Sequence, residues 1–141
     1  GLEVSLGLLK AEGLNAVHAR HQRLGGAVRE AVKAWSTNGA LKLHCQDPDG
    51  FSNSVTAIEV NSNIDPEALR VVAREKFQVA MAGGLGALTG RAFRIGHLGD
   101  MNEPMILGAL AGIEAAMTVQ NIPYGPNGMA AAIAYLAKHT P

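Results

Sequence analysis

The segment Arg91-Ala-Phe-Arg-Ile-Gly-His-Leu-Gly-Asp100 gathers two guanidinium groups, an imidazole and a carboxylate into one short stretch. Read as a strand, it turns Phe93 and Ile95 to one face and Arg94 to the other, because side chains alternate. With the apolar pair against a core, Arg94 faces solvent, a ligand or another domain. A planar guanidinium holds a carboxylate through two parallel, charge-assisted hydrogen bonds, which lysine cannot reproduce. A surface ion pair with Asp or Glu satisfies the same alternation, and spacing does not separate the two readings.

Three other groupings carry potential chemistry. In Gly84-Leu-Gly-Ala-Leu-Thr-Gly90 the clustered glycines invite comparison with a phosphate-cradling turn. A strand-like segment follows Gly90 almost at once, which leaves no room for the helix that such a turn must open, so a hairpin or loop is expected. His18 and His21 have the spacing to share a metal on a helix, but further ligands at clear spacing are missing. His21 also falls on the apolar stripe, where a packed, hydrogen-bonded imidazole is expected. His44 adjoins Cys45, but no second cysteine completes a metal motif, and a catalytic pair would need proximity in space.

The elements that must position these groups follow from periodicity. Val4 to Glu12 reads as a helix broken at Gly13. A second helix follows, with Leu14, Val17, Leu24, Val28, Ala31 and Trp35 on its apolar stripe and Arg20, Arg23, Arg29, Glu30 and Lys33 on the remainder. Gly25-Gly26 lies inside it and marks a close contact or a bend. Leu41 to Cys45 and Val55 to Val60 read as strands separated by Asp47-Pro-Asp-Gly50. Asp65-Pro66-Glu67 supplies an N-cap, a proline at the first helical position and an acidic first turn, ahead of Leu69, Val72, Ala73 and Phe77. Val79 to Met81 and Ala92 to Gly96 are further strands. Asp100-Met-Asn-Glu103 resembles a capping box for a helix burying Ile106, Ala109, Leu110, Ile113 and Met117, with Gly108 and Gly112 available for close contact. Pro123 and Gly125-Pro126 end it, and Met129 to Leu136 forms a last helix. The order predicts an α/β (α+β sandwich) fold: a small mixed, mainly antiparallel sheet with helices packed on one face.

Composition narrows the function. The chain has 141 residues, 48% of them hydrophobic, which suits one domain with a real core. Its 12 basic and 12 acidic side chains cancel, so no long-range field recruits nucleic acid or an anionic membrane. Met105 to Val119 is too short for a membrane helix and carries Glu114. The lone Cys45 excludes an internal disulfide and fits a reducing, cytoplasmic setting. The start, Gly1-Leu-Glu-Val-Ser5, reads like a chain entered midway.

The run Phe93-Arg-Ile-Gly-His-Leu-Gly-Asp100, with Asn102-Glu103 and Leu107-Gly-Ala-Leu-Ala-Gly-Ile-Glu114, resembles the C-terminal region of serine-glyoxylate aminotransferases. These belong to the class V, fold type I group that includes alanine-glyoxylate aminotransferases. The resemblance extends from Gly1 to the end of the chain, through Glu12-Gly-Leu-Asn-Ala-Val-His-Ala-Arg-His21, Cys45-Gln-Asp-Pro48 and Ser54-Val-Thr-Ala-Ile58. Met81-Ala-Gly-Gly84 is more glycine-rich than the family pattern, and Asn102-Glu-Pro104 adds a proline.

What the resemblance implies is specific. The arginine of the Phe-Arg-Ile-Gly motif binds the substrate carboxylate, a role that falls on Arg94. Pyridoxal 5'-phosphate is carried as a Schiff base on a lysine of the large domain, and none of Lys10, Lys33, Lys42, Lys76 or Lys138 lies in a matching segment. The expectation is therefore a single domain over residues 1–141, the small C-terminal domain of a transaminase that moves an amino group from serine or alanine to glyoxylate or a similar oxoacid. Residues 1–13 would be a remnant of the inter-domain helix. Its partners would be the N-terminal large domain and a small amino-acid or oxoacid substrate, in an enzyme that is a homodimer when intact. No catalytic residue and no bound cofactor are expected in this chain alone, which would be inactive. The competing reading is a free-standing small-carboxylate-binding or oligomerisation module.

Overall fold

Gly13, at φ 85°, interrupts two apolar runs and separates helix α1 (Leu2–Glu12) from helix α2 (Leu14–Trp35). The computed structural model describes residues 1–140. Helix α2 buries Val17, Leu24, Val28, Ala31 and Trp35, the stripe its periodicity predicts, but leaves Leu14 exposed. Arg29, which periodicity assigns to the polar remainder, is buried instead. The loop after the first strand folds over it, so that its Nη1 donates to the Ser52 carbonyl at 2.9 Å and its guanidinium lies 4.9 Å from the centre of the Phe51 ring. The glycine pair inside α2 marks close packing. A Cβ on Gly25 would lie 2.8 Å from His97 Cε1, and one on Gly26 would overlap the Tyr135 ring. Gly26→Ala is accordingly expected to cost about 1–3 kcal/mol of stability through overpacking. The midpoint of urea unfolding, read by the emission of the sole tryptophan, Trp35, checks this.

Four strands, β1 (Leu41–Leu43), β2 (Val55–Val60), β3 (Ala82–Gly83) and β4 (Ala92–Gly96), form one sheet in the order β1-β2-β4-β3. Every pair is antiparallel. Between β2 and β3, helix α3 (Pro66–Phe77) starts as its sequence predicts. The Asp65 carboxylate accepts from the Glu67 and Ala68 amides at 2.8 and 3.2 Å, leaving fewer unpaired donors in the first turn. The third strand lies just beyond the predicted Val79 to Met81. Gln78 is left-handed at φ 58° and the Val79 amide donates to Ala73 O at 3.0 Å, so this stretch still closes the helix.

Helix α4 (Glu103–Val119) begins on Asn102, whose side chain accepts from the Met105 amide at 3.0 Å. The cap is thus Asn102 and not the Asp100 of the predicted box, because Pro104 occupies the first turn and shifts the start. Of the two glycines on α4, only Gly112 meets a neighbour: a Cβ there would lie 2.5 Å from Val79 Cγ2, whereas Gly108 faces open space. Helix α5 (Gly128–Lys138) packs on α2 and α4.

Glu114 joins these helices. Its Oε1 accepts from the Trp35 indole N–H at 2.7 Å and from the Met129 amide, in the first turn of α5, at 3.1 Å. A carboxylate at a helix N-terminus also complements the helix dipole. Glu114→Ala strands both donors and is expected to cost about 1–3 kcal/mol in chemical denaturation, while Glu114→Gln, which keeps an acceptor, should cost less.

The helices gather against the sheet face carrying Leu41, Leu43, Ile58, Phe93 and Ile95, all in the core. Registers Lys42↔Glu59 and Ala57↔Arg94 put the charged side chains on the opposite face. Helix α1 stands apart, with no buried residue and with Leu2, Val4, Leu6 and Leu8 exposed. It is tied down mainly by Arg20. Arg20 Nε and Nη2 take the two Glu12 carboxylate oxygens at 2.7 Å each, and its Nη1 reaches Gly99 O and Met101 O at 2.8 and 2.9 Å.

Candidate carboxylate-binding site

Arg94 sits at the centre of β4, on the face turned away from the helices, as strand alternation predicts. Its cross-strand neighbours are Ala57 on β2 and Ala82 on β3. Two methyl groups therefore flank a side chain several times their length, and the guanidinium stands half-buried between low walls. Arg94 Nε donates to the Gly83 carbonyl at 2.8 Å. No Asp or Glu among the described residues forms an ion pair with it. A guanidinium presents two edges that fit a carboxylate, one through Nη1 and Nη2 and one through Nε and Nη2. With Nε committed to Gly83, the Nη1/Nη2 edge is the one left for a ligand.

The glycine-rich connection from Gly83 to Gly90 joins the antiparallel strands β3 and β4, with a 3-10 turn at Gly86–Leu88. Gly86 and Gly90 take φ 55° and 70°, which favour glycine. No long helix opens here, so the phosphate-cradle reading has no structural basis. Arg70 of α3 supports the hairpin from the helix side. Its Nε donates to Met81 O at 2.9 Å and its Nη1 pairs with Glu67.

The histidines resolve individually. His21 Nδ1 donates to Val17 O at 2.7 Å while Nε2 accepts from the Gly99 amide at 3.0 Å, so both ring nitrogens are engaged, and His18 is exposed. His44 Nδ1 bonds Glu59 at 2.8 Å, whereas Cys45 Sγ contacts Asp47 O at 3.4 Å; the two neighbours do not pair with each other. No cluster of three or more His, Cys, Asp or Glu side chains suited to a metal occurs among the described residues. On the outer sheet face, His44 and then Lys42 hold the Glu59 carboxyl below the usual carboxylate range.

His97, inside the motif but given no role by its spacing, is fully buried beside the site strand. It receives the Thr56 hydroxyl on Nε2 at 3.0 Å and donates from Nδ1 to Asn53 O at 3.0 Å. Burial pushes its pKa down from 6.5 to about 4, and the nearby Arg29 charge acts in the same direction. Sequence reasoning also passed over Arg70 and Gly83. An arginine on the solvent side of a helix carries no signal that it will reach back to a strand carbonyl.

The chain is 41% identical to serine–glyoxylate aminotransferase of Arabidopsis thaliana over 144 aligned positions, covering 100% of this chain and 34% of that protein. It is 43% identical to the Hyphomicrobium methylovorum enzyme of the same name, covering 99% of this chain and 34% of that one. Among solved structures, pyridoxamine-pyruvate aminotransferase from Mesorhizobium loti superposes with a TM-score of 0.88 at 30% identity, over 99% of this chain and 35% of that one. No protein-family model matches the chain. It spans about a third of the length of these relatives. No helix among the described residues is long and apolar enough to cross a membrane. With identity sustained over its whole length and a matching overall fold, the chain belongs to the class V aminotransferases, a pyridoxal phosphate-dependent family, and has the fold of their C-terminal domain.

Proposed function

We propose that this chain is the substrate-gripping domain of a serine–glyoxylate-type transaminase, in which Arg94 holds the α-carboxylate of the amino donor and of the oxoacid in turn. The observation that carries the reading is a guanidinium with an uncommitted Nη1/Nη2 edge, flanked by Ala57 and Ala82 and without an acidic partner among the described residues. Holding the carboxylate end-on fixes the orientation of the Cα bonds, so the chain contributes positioning.

Pyridoxal phosphate, when bound in the full-length enzyme, supplies the electron sink for amino transfer. The chain's own lysines do not fit the attachment role. Lys10, Lys33, Lys42, Lys76 and Lys138 are all exposed, whereas a Schiff-base lysine is kept nucleophilic by desolvation or a cationic neighbour. The resemblance implies an attachment lysine on a large domain, against which the exposed leucines of α1 would lie as part of an inter-domain helix. The resemblance further implies a homodimer, and the lone thiol Cys45 fits a cytoplasmic setting.

Steady-state kinetics of the full-length enzyme test the reading, because one carboxylate grip must serve both half-reactions. Arg94→Ala should impair amino-donor and oxoacid use in parallel; wild-type values for either would overturn the assignment.

A further inference from the structure

We propose that Arg70 is a positioning residue for the carboxylate grip, acting on Arg94 through strand β3; this rests on the reading of Arg94 given above. Strand β3 has only two residues, each paired once with β4, and lies at the sheet edge. So short a strand has little hold of its own. Yet its Gly83 carbonyl occupies Arg94 Nε and thereby selects the guanidinium edge offered to a ligand.

Arg70 supplies the missing constraint. From the second turn of α3 its Nε takes the Met81 carbonyl, adjacent to β3, at 2.9 Å, and its Nη1 is held by Glu67. The absence of a side chain at Gly83 is part of the arrangement: a Cβ there would lie 2.9 Å from both Arg70 Nη1 and Glu67 Oε1. Gly83 is thus backed by one arginine from the helix side while its carbonyl receives the other. If Arg70 lets go, β3 shifts, Nε is released, and Arg94 keeps its charge but loses the orientation of its fork.

A double-mutant cycle in the full-length enzyme separates this role from a merely structural one. Arg70→Met should lower kcat/KM about tenfold in both half-reactions, and should have no further effect in an Arg94→Ala background. Arg70→Lys, which keeps one donor, should recover part of the loss. Gly83→Ala, which crowds Arg70 out from the opposite side, should reproduce the Arg70→Met defect if the methionine variant folds poorly. In this chain, nitrogen-15 spectra of the arginine side chains should show the Arg94 Nε–H exchanging faster in Arg70→Met, with the backbone amides of α2 and α5 unmoved. Additive losses in the cycle, or an unchanged Arg94 Nε–H, overturn the proposal. Should Arg94→Ala itself be silent, the carboxylate reading falls and the positioning role with it; should only Arg70→Met be silent, the positioning role falls alone.

Discussion

Arg94→Ala is expected to lower kcat/KM of the full-length enzyme by about 10²- to 10³-fold for amino donor and oxoacid alike. On the proposed reading, the magnitude follows from truncating one partner of a charge pair that is desolvated and hydrogen-bonded once substrate is bound, which costs about 3–4 kcal/mol. Arg94→Lys is the more informative variant. It retains a positive charge between Ala57 and Ala82 but cannot form the fork, nor the bond that Nε makes to Gly83 at 2.8 Å. A loss of about tenfold or more for lysine would show that geometry, beyond charge, is being used. Full activity with lysine would mean that Arg94 acts as a point charge and that its edge selection is irrelevant.

The second large effect concerns acid. His97 is neutral in the fold, with a pKa of about 4 against an ordinary 6.5, so as pH falls the unfolded chain takes up its proton first. Stability should be full above about pH 6.5, decline progressively toward pH 4 and level off below it, a loss of about 3 kcal/mol for this one group. The carboxyls of Glu12, Glu59 and Glu103, held below their ordinary 4.5 chiefly by Arg20, His44 and Arg23, begin to lose their contributions only as pH falls below about 4.5. The interval from pH 6.5 to 4.5 is therefore largely diagnostic of His97. Urea midpoints across it should slope downward in the wild-type chain and flatten in His97→Gln, which would itself be less stable at pH 7. A wild-type profile as flat as the variant's would refute the account.

Much of the fold was legible because its signals are local. The Asp65 cap, the Gly13 break and the stripe of α2 each depend on residues within a turn or two of one another. The outward direction of Arg94 followed from alternation alone. What escaped depends on chain brought back from afar. Arg29 has a polar residue's spacing, and only the return of Phe51 to Asn53 buries it. Asp100 and Asn102 both offer caps, and the choice fell to the proline two residues beyond Asn102. Gly108 and Gly112 are equivalent by periodicity, and only Val79 distinguishes them. At Arg94 the outward direction was readable but the bond to Gly83 was not, because Gly83 O becomes a partner only once the hairpin has closed.

The alanines beside Arg94 have a consequence for how substrate choice is divided. Ala57 and Ala82 present a methyl each, too little to discriminate among side chains, and they leave accessible the Arg94 guanidinium, whose proposed ligand, a carboxylate, is common to every α-amino acid and α-oxoacid. On the proposed reading, this domain is a universal handle with no opinion about what it lifts. Selectivity for one donor over another must then be written into the surface that closes over it. Grafting this chain between relatives of different preference should accordingly transfer affinity for the carboxylate and leave the preference where it was.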